Sequence, residues 1–178
     1  LVRGRARLTG PKTLDVTTED GSVTTLTARH AVILATGSVP VVPPVDGLAE
    51  SNPWGSREAT SVKDVPASLA IMGGGVVGVE MATAFADLGT KVTLVVRGER
   101  LLAANEPFAG DAVADSLRDL GVDVRLSTDV TSVEVHDDGT HLVTSSGGST
   151  EPVVAEKLLV ATGRKPATSD IGLEAVGL

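Results

Sequence analysis

A glycine-rich segment in the middle of the chain has the spacing of a turn that binds phosphate groups. Gly73, Gly75 and Gly78 fit the pattern G-x-G-x-x-G, after the apolar segment SLAIM and before VVGVEMATAFADL. The first segment predicts a strand, and the second predicts a helix that ends at Gly89. In that context the backbone can approach a pyrophosphate, which the amides and dipole of the helix N-terminus attract. The sequence therefore predicts a dinucleotide-binding turn formed by Gly73, Gly74, Gly75, Val76, Val77 and Gly78.

The residues after the next predicted strand bear on which dinucleotide binds. NAD-binding folds usually place an acid there to hold the ribose 2′-hydroxyl, whereas this chain has Val96 followed by Arg97. A guanidinium can form paired hydrogen bonds with a 2′-phosphate, and Arg100 lies close enough in sequence to help. Glu99 stands between the two arginines and would pair with one of them or repel the phosphate. The pattern favours NADP over NAD, with ordinary solvated loop charge as the alternative for both arginines.

The N-terminal part of the chain predicts strands and a connector. Residues 3–28 alternate polar and apolar types in short runs broken at Gly10-Pro11 and Asp20-Gly21, which predicts an antiparallel meander. The segment AVILATG, residues 31–37, predicts a strand buried on both faces. Residues 38–66 are rich in proline, which neither propagates a helix nor donates to a sheet, and they predict a connector between domains.

The C-terminal part continues the alternation of strands and helices. PFAGDAVADSLRDL, residues 107–120, predicts a second helix that stops at Gly121, and VDVRLS predicts a third strand. DVTSVEVHDDGTHLVTSS predicts a hairpin around Asp138-Gly139. EKLLVATGRKP repeats the pattern of residues 29–40, an apolar strand followed by Ala-Thr-Gly. The fold class predicted is α/β, with Rossmann-like βαβ units and a β-meander.

Composition excludes several classes of function. The net charge of -8 and the scarcity of aromatic residues argue against a nucleic-acid partner. The absence of cysteine excludes thiol chemistry within this chain. Residues 68–86 are apolar, but their consecutive glycines and Glu80 argue against a membrane span. We expect a cytoplasmic globular protein, and the start LVRGRARL indicates a piece of a longer one.

Three segments give the chain a specific family resemblance. ATGSVPVVPPVDG, SLAIMGGGVVGVEMATAFADLGTKVTLVVRGERLL and KLLVATGRKPATSDIGLEAVGL resemble, in this order, the flavoprotein pyridine nucleotide-disulfide oxidoreductases such as dihydrolipoamide dehydrogenase, glutathione reductase and mercuric reductase. The resemblance implies a parent that passes hydride from NAD(P)H to FAD and on to a disulfide, or the reverse. It also implies that residues 1–50 end the first segment of an FAD-binding domain and its connector. Residues 51–152 would then form the inserted NAD(P)-binding domain, and residues 153–178 would return into the FAD domain.

The resemblance also implies roles for individual residues. Five residues of the two Ala-Thr-Gly segments match positions that approach FAD or the nicotinamide nucleotide: Thr36, Gly37, Thr162, Gly163 and Arg164. Glu80 matches a glutamate beside the nicotinamide, although a helix dipole also favours an acid there. Arg97 matches an arginine that binds the 2′-phosphate. Val76 replaces an aromatic lid, Gly78 resembles the NAD type, and Ala103 stands where a second phosphate arginine would lie.

Parts of the family's machinery have no counterpart in this sequence. The FAD fingerprint, the redox-active cysteine pair, and the His-Glu pair of the C-terminal domain that builds the family's homodimer are all missing. We therefore assign no catalytic residue and no metal ligand to the chain and expect it to be catalytically incomplete alone. Three alternatives stay open: glycines that only pack a helix on a sheet, an NAD(P)H-flavin reductase without a redox disulfide, like the ferredoxin-reductase-like proteins, and a freestanding nucleotide-binding module.

Overall fold

The computed structural model describes residues 1–178, which divide into two compact units. Leu1–Val39 and Lys165–Leu178 form the first unit, and Pro40–Arg164 form the second. The predicted limits of the parent's domains, after residues 50 and 152, stay a prediction. In chain order the elements are β1 (Arg5–Gly10), β2 (Thr13–Thr17), β3 (Val23–Thr27), β4 (Ser38–Pro40), α1 (Ser56–Ser61), β5 (Ser68–Met72), α2 (Val76–Asp87), β6 (Lys91–Val95), α3 (Pro107–Asp119), β7 (Asp123–Arg125), β8 (Asp129–His136), β9 (Gly139–Ser146), β10 (Ser149–Ala155), β11 (Lys157–Val160), β12 (Arg164–Pro166) and a short 3-10 helix (Leu173–Val176).

The first unit contains the predicted meander. β1, β2 and β3 form an antiparallel sheet in that order, and the turns fall at the two predicted glycine positions. Leu8 and Val16 are its buried apolar side chains. The C-terminal segment closes on β1, because the Leu8 amide donates to the Ile171 carbonyl over 2.8 Å. Gly172 has a φ of 81°, and a Cβ there would lie 2.2 Å from the Leu8 carbonyl oxygen, so only glycine fits this contact.

The segment AVILATG is not the buried strand that its composition predicts. Residues 31–37 form no strand, and the Ile33 side chain is 87% exposed. A strand buried on both faces needs hydrogen-bonding neighbours and a covering layer, and no strand of this chain pairs with residues 31–37. The apolar run is therefore mostly exposed and has no regular secondary structure, so the predicted buried strand is wrong.

The second unit has a parallel sheet at its centre, in the order β11-β5-β6-β7. Alternate residues of each strand point to opposite faces. On β5, Leu69 and Ile71 pack in the cluster that includes Phe85 of α2, whereas Ala70 and Met72 pack in the cluster that includes Leu142 of β9. Both faces are thus covered, by helices on one side and by a second sheet on the other. This explains why the strand sequences are almost continuously apolar.

The second sheet is larger than the predicted hairpin. β8 and β9 pair around the turn at residues 137–138, as expected, and β10 adds a third antiparallel strand in the order β10-β9-β8. The turn between β9 and β10 is Gly147-Gly148, and both glycines have positive φ. Such a pair between polar segments is itself a hairpin signal. β10 was not among the predicted strands.

The proline-rich connector is more ordered than predicted. Leu48 is completely buried, and residues 56–61 form the short helix α1. Trp54 extends the sheet at its β11 edge: its amide donates to the Leu158 carbonyl and its carbonyl accepts from the Val160 amide, both over 2.8 Å. β4 and β12 pair with each other as a two-stranded sheet. None of the three α-helices is long and apolar enough to cross a membrane.

Candidate functional site

The glycine turn between β5 and α2 is held by two contacts that admit no side chain. Gly73 has a φ of 115°, and a Cβ there would lie 2.5 Å from the Ala161 carbonyl oxygen at the end of β11. A Cβ at Gly78 would lie 1.9 Å from the Gly73 carbonyl oxygen. The turn can pass between β11 and α2 only because both residues are glycine. Two of the three motif glycines therefore have a packing role.

Gly75 differs from the other two glycines. It is the N-cap of α2, with a φ of -82°, and no atom lies within 4 Å of the place where its Cβ would stand. No side chain caps this end of the helix. The first turn of a helix has amide groups without partners in the helix and a partial positive charge, and here it adjoins open space. The backbone at Gly75 is accessible to a ligand.

A cleft of about 400 Å³ lies beside this turn, at the carboxyl ends of the parallel strands. Ligands of open α/β sheets bind at this edge. Arg97 follows β6, is exposed, and makes no ion pair or hydrogen bond within the chain. The cleft is lined by Val41, Pro43, Val45, Met72, Gly73, Gly74, Val95, Val96, Arg97, Gly98, Thr128, Asp129, Val130 and Thr162.

The loop after β6 is fixed against the glycine turn. The Leu102 amide donates to the Gly74 carbonyl over 2.8 Å, and a Cβ at Gly74 would lie 2.8 Å from a methyl group of Val96. Arg100 does not line the cleft, and its guanidinium donates to the Ala103 carbonyl over 3.3 Å. Neither arginine pairs with Glu99 in this structure. The two predicted arginines therefore differ in position: Arg97 lines the cleft, whereas Arg100 forms a hydrogen bond within the loop that contains it.

The residues that follow β11 are brought next to α2. Thr162 donates through its hydroxyl to the Val41 carbonyl over 3.0 Å, and the Val41 amide donates to the Gly163 carbonyl over 3.0 Å. Arg164 donates to the Ser56 hydroxyl over 3.0 Å. Gly163, Arg164 and Val77 share the lining of a small cavity of about 40 Å³. Hydrogen bonds to the connector and to α1 therefore fix the position of residues 162–164.

Glu58 supports α1 at this position. Its carboxylate accepts a hydrogen bond from the Gly55 amide over 2.8 Å. Hydrogen bonds from its own amide, and then from that of Gly55, hold the pKa of the Glu58 carboxyl below its usual value of 4.5. Ser56, the partner of Arg164, is the first residue of this capped helix.

The remaining predicted residues lie apart from these two cavities. Glu80 and Val76 are exposed on α2 and line neither cavity, and Glu80 makes no hydrogen bond or ion pair. Thr36 and Gly37 belong to the first unit and are exposed. The Gly37 carbonyl accepts from the Ala167 amide over 2.9 Å.

Part of the cleft was not predicted from the sequence. Thr128, Asp129 and Val130 line it because β7 lies beside β6, so that the turn after β7 reaches the same edge of the sheet. The Thr128 amide donates to the Val96 carbonyl over 3.0 Å. The rule that strands of one parallel sheet end at one edge could have found these three residues. No local pattern indicates that the connector residues Val41, Pro43 and Val45 would also line it.

The sequence of the chain matches a known family. A sequence profile described as pyridine nucleotide-disulphide oxidoreductase matches residues 2–178. The chain belongs to the pyridine nucleotide-disulphide oxidoreductase family. Members of this family depend on FAD, use NAD(P)H, bind nicotinamide dinucleotides and are often homodimers. The predicted family and the predicted α/β fold class are confirmed.

Alignments with named relatives include all or nearly all of this chain. It is 36% identical over 178 residues to a mercuric reductase of Streptomyces lividans, and 36% identical over 180 residues to a mitochondrial dihydrolipoyl dehydrogenase of Dictyostelium discoideum. These alignments include 100% and 99% of this chain, but only 37% of each relative. The chain thus spans little more than a third of the length of these relatives.

Solved structures also match nearly all of this chain and little more than a third of the matched protein. The HOCl-induced flavoprotein disulfide reductase RclA from Escherichia coli, in its Cu(II) complex, superposes with a TM-score of 0.88 at 30% identity. The match covers 98% of this chain and 38% of RclA. A further solved structure of the same reductase gives a TM-score of 0.86 at 29% identity, with 99% of this chain covered and 39% of that one.

Proposed function

We propose that the second unit binds a nicotinamide dinucleotide, with the pyrophosphate at the turn Gly73–Gly78. The observation that carries this proposal is the difference among the motif glycines. Gly73 and Gly78 are needed for packing, whereas Gly75 has no packing partner and stands where a helix N-terminus meets open space. A glycine at which an added Cβ would meet nothing in the chain is explained by a ligand that approaches the backbone closely.

In the parent protein, this unit would present the dinucleotide for transfer of hydride to FAD and from there to a disulfide, or for the reverse sequence. When bound, the two cofactors supply the redox chemistry, and the residues of this chain bind and orient them. The chain contains no cysteine, so the disulfide would belong to parts of the parent outside it. A parent homodimer formed by a C-terminal domain, and a cytoplasmic location, are further parts of this proposal.

The proposed cofactor preference is NADP, and it rests on Arg97. This guanidinium is exposed at the cleft beside the turn and has no partner within the chain. The preceding residue, Val96, is buried and carries no carboxylate for a ribose 2′-hydroxyl. A free guanidinium at this edge can form charge-assisted hydrogen bonds with a 2′-phosphate. Asp129 lines the same cleft and would oppose such a phosphate, which limits the size of the preference.

Roles toward the cofactors are also proposed for the two Ala-Thr-Gly segments and for Glu80. Gly163 and Arg164 are held beside Val77 at the start of α2, and Thr162 lines the larger cleft. Thr36 and Gly37 would approach FAD from the first unit. Glu80 is an exposed, unpaired acid on α2 and is available to position a nicotinamide ring.

The experiment is a calorimetric titration of this chain with NADPH and with NADH, repeated on Gly75→Ala. Because a methyl group at Gly75 meets no atom of the chain, the variant should fold like the parent sequence and lose dinucleotide binding by about tenfold or more. Asp87→Ala, at the far end of the same helix, is the control and should bind normally. Failure of the original chain to bind either dinucleotide, or full binding by Gly75→Ala, would show that the proposal is wrong.

A further inference from the structure

The tip of the β8–β9 hairpin brings together two of the three histidines of the chain. The ring centres of His136 and His141 lie 4.4 Å apart with a tilt of 53°. Along the hairpin, His141 faces Glu134 and His136 faces Gly139. Since Gly139 has no side chain, nothing on the opposite strand separates the His136 ring from the His141 ring. The tip lies away from the dinucleotide cleft, and none of its residues lines that cleft.

Each imidazole is held by a carboxylate. The Nε2 atom of His136 lies 2.9 Å from Oε2 of Glu134, and Nε2 of His141 lies 2.8 Å from Oδ1 of Asp138. An ionised carboxylate can only accept hydrogen bonds, so both Nε2 atoms carry the proton. In a neutral imidazole this leaves the lone pair on Nδ1, and no hydrogen bond reaches Nδ1 in either ring.

A carboxylate that fixes one ring nitrogen and leaves the other free is the arrangement that surrounds histidine ligands of metal ions. Two imidazoles that bind one ion through nitrogens about 2.0 to 2.1 Å away, in neighbouring positions, have ring centres roughly 4.5 to 5.2 Å apart. The observed distance of 4.4 Å between the ring centres lies just below this range. The side chains are 48% and 30% exposed for His136 and His141, so an ion can reach them from solvent.

We propose that His136 and His141 bind a divalent transition-metal ion through their Nδ1 atoms, with Glu134 and Asp138 as the groups that orient the two rings. No three His, Asp or Glu side chains form a ready metal cage in this chain, so water would complete the coordination. Imidazole nitrogen suits Cu²⁺, Ni²⁺ and Zn²⁺, whereas Mg²⁺ and Ca²⁺ prefer oxygen ligands. The acidic residues at the tip, Asp137 among them, add a general attraction for cations.

Calorimetric titration of the whole chain with Cu²⁺, and separately with Mg²⁺, tests this site. We expect one Cu²⁺ per chain, and no competition by Mg²⁺ at equal concentration. Glu134→Gln and Asp138→Asn should each weaken Cu²⁺ binding by about tenfold. His136→Ala and His141→Ala should weaken it more. His30→Ala is the matched control, because His30 is exposed, makes no contact with the other two histidines and belongs to the first unit.

Each outcome decides the proposal. Cu²⁺ binding that is weakened by more than about tenfold in both hairpin variants, with normal binding by His30→Ala, supports it. At saturating Cu²⁺, electron paramagnetic resonance should then show two nitrogen ligands in the original chain and one in either variant. The proposal would be overturned if the original chain bound no Cu²⁺, or if His136→Ala or His141→Ala bound it as tightly as the original chain. It would also be overturned if His30→Ala lost Cu²⁺ binding, or if Mg²⁺ competed equally with Cu²⁺. The two histidines and the two carboxylates of the site are exposed or half-buried, so circular dichroism should confirm that the variants fold.

Discussion

Gly78 of α2 packs directly on Gly73 of the turn, so closely that a Cβ at Gly78 would lie 1.9 Å from the Gly73 carbonyl oxygen. This contact sets the distance between the helix and the end of β5. It also places the N-terminus of α2 at the carboxyl edge of the sheet, where the cleft opens. The packing of one glycine on another therefore determines the geometry of the candidate binding site.

Gly78→Ala should destabilise the second unit. The methyl group would meet rigid backbone, for which overpacking costs about 1 to 3 kcal/mol, while alanine in place of glycine in a helix returns about 1 kcal/mol. We expect a net loss of about 2 kcal/mol, because a carbonyl in the turn has little room to move and the overpacking cost should lie near its upper value. Urea unfolding followed by the fluorescence of Trp54, which packs against Phe85 in the same unit, measures it. Gly75→Ala is the control, and equal stability of the two variants would contradict the packing argument.

Arg97→Ala should weaken binding of NADPH and leave binding of NADH nearly unchanged. A charge-assisted hydrogen bond contributes about 1.5 to 3 kcal/mol, which corresponds to roughly a tenfold loss or more. The original chain should also bind NADPH less tightly as salt is raised, because Arg97 is exposed. Titration of both dinucleotides at two salt concentrations measures this. Arg100→Ala is the control with a smaller expected loss, and equal losses for NADH and NADPH in Arg97→Ala would remove the basis for an NADP preference.

Asp20 should make the β2–β3 turn sensitive to acid. Hydrogen bonds from the Thr18 hydroxyl, and then from the amide and hydroxyl of Ser22, lower the pKa of the Asp20 carboxyl from 3.8 to about 2. Because the folded pKa is the lower one, the stabilisation is complete above pH 3.8 and disappears as the pH falls through about 2. The original chain should therefore have a more stable turn than Asp20→Ala at pH 5, and the two should converge near pH 2.

Amide signals of Gly21 and Ser22 in NMR spectra follow this change directly. The titration of these signals in the original chain should have its midpoint below 3.8, and Asp20→Ala should show no such titration. Asp15→Ala, on the neighbouring strand β2, is a control for general charge loss, since the Asp15 carboxylate accepts its hydrogen bond from Thr25 instead. A midpoint at the usual value would contradict the role of the turn hydrogen bonds.

Local signals were sufficient for most of the secondary structure. The apolar periods of SLAIM and of VVGVEMATAFADL predicted β5 and α2, and Pro107 and Gly121 marked the limits of α3 to within about a residue. The meander β1–β3 followed from alternation and from its two turns. In each of these elements, the residues that determine the conformation lie within the element or directly beside it.

Predictions failed where an element depends on distant partners. AVILATG and KLLVATG share one pattern, an apolar run followed by Ala-Thr-Gly, yet only the second forms a strand, β11, because β5 lies beside it. The short helix α1 and the buried Leu48 lie in a segment whose prolines suggested only a connector. Burial and pairing are properties of the neighbours a segment meets, which its own composition does not contain.

The sequence by itself determined the glycine turn, the strand and helix on either side of it, and the family, because turn chemistry and apolar periodicity are local. Tertiary structure alone decided which motif glycines serve packing and which one faces open space. It also decided that Arg97 and Thr128 share a cleft, and that His136 and His141 meet at a hairpin tip. These relationships depend on strand order and register, which bring residues far apart in sequence to one edge or one face of a sheet.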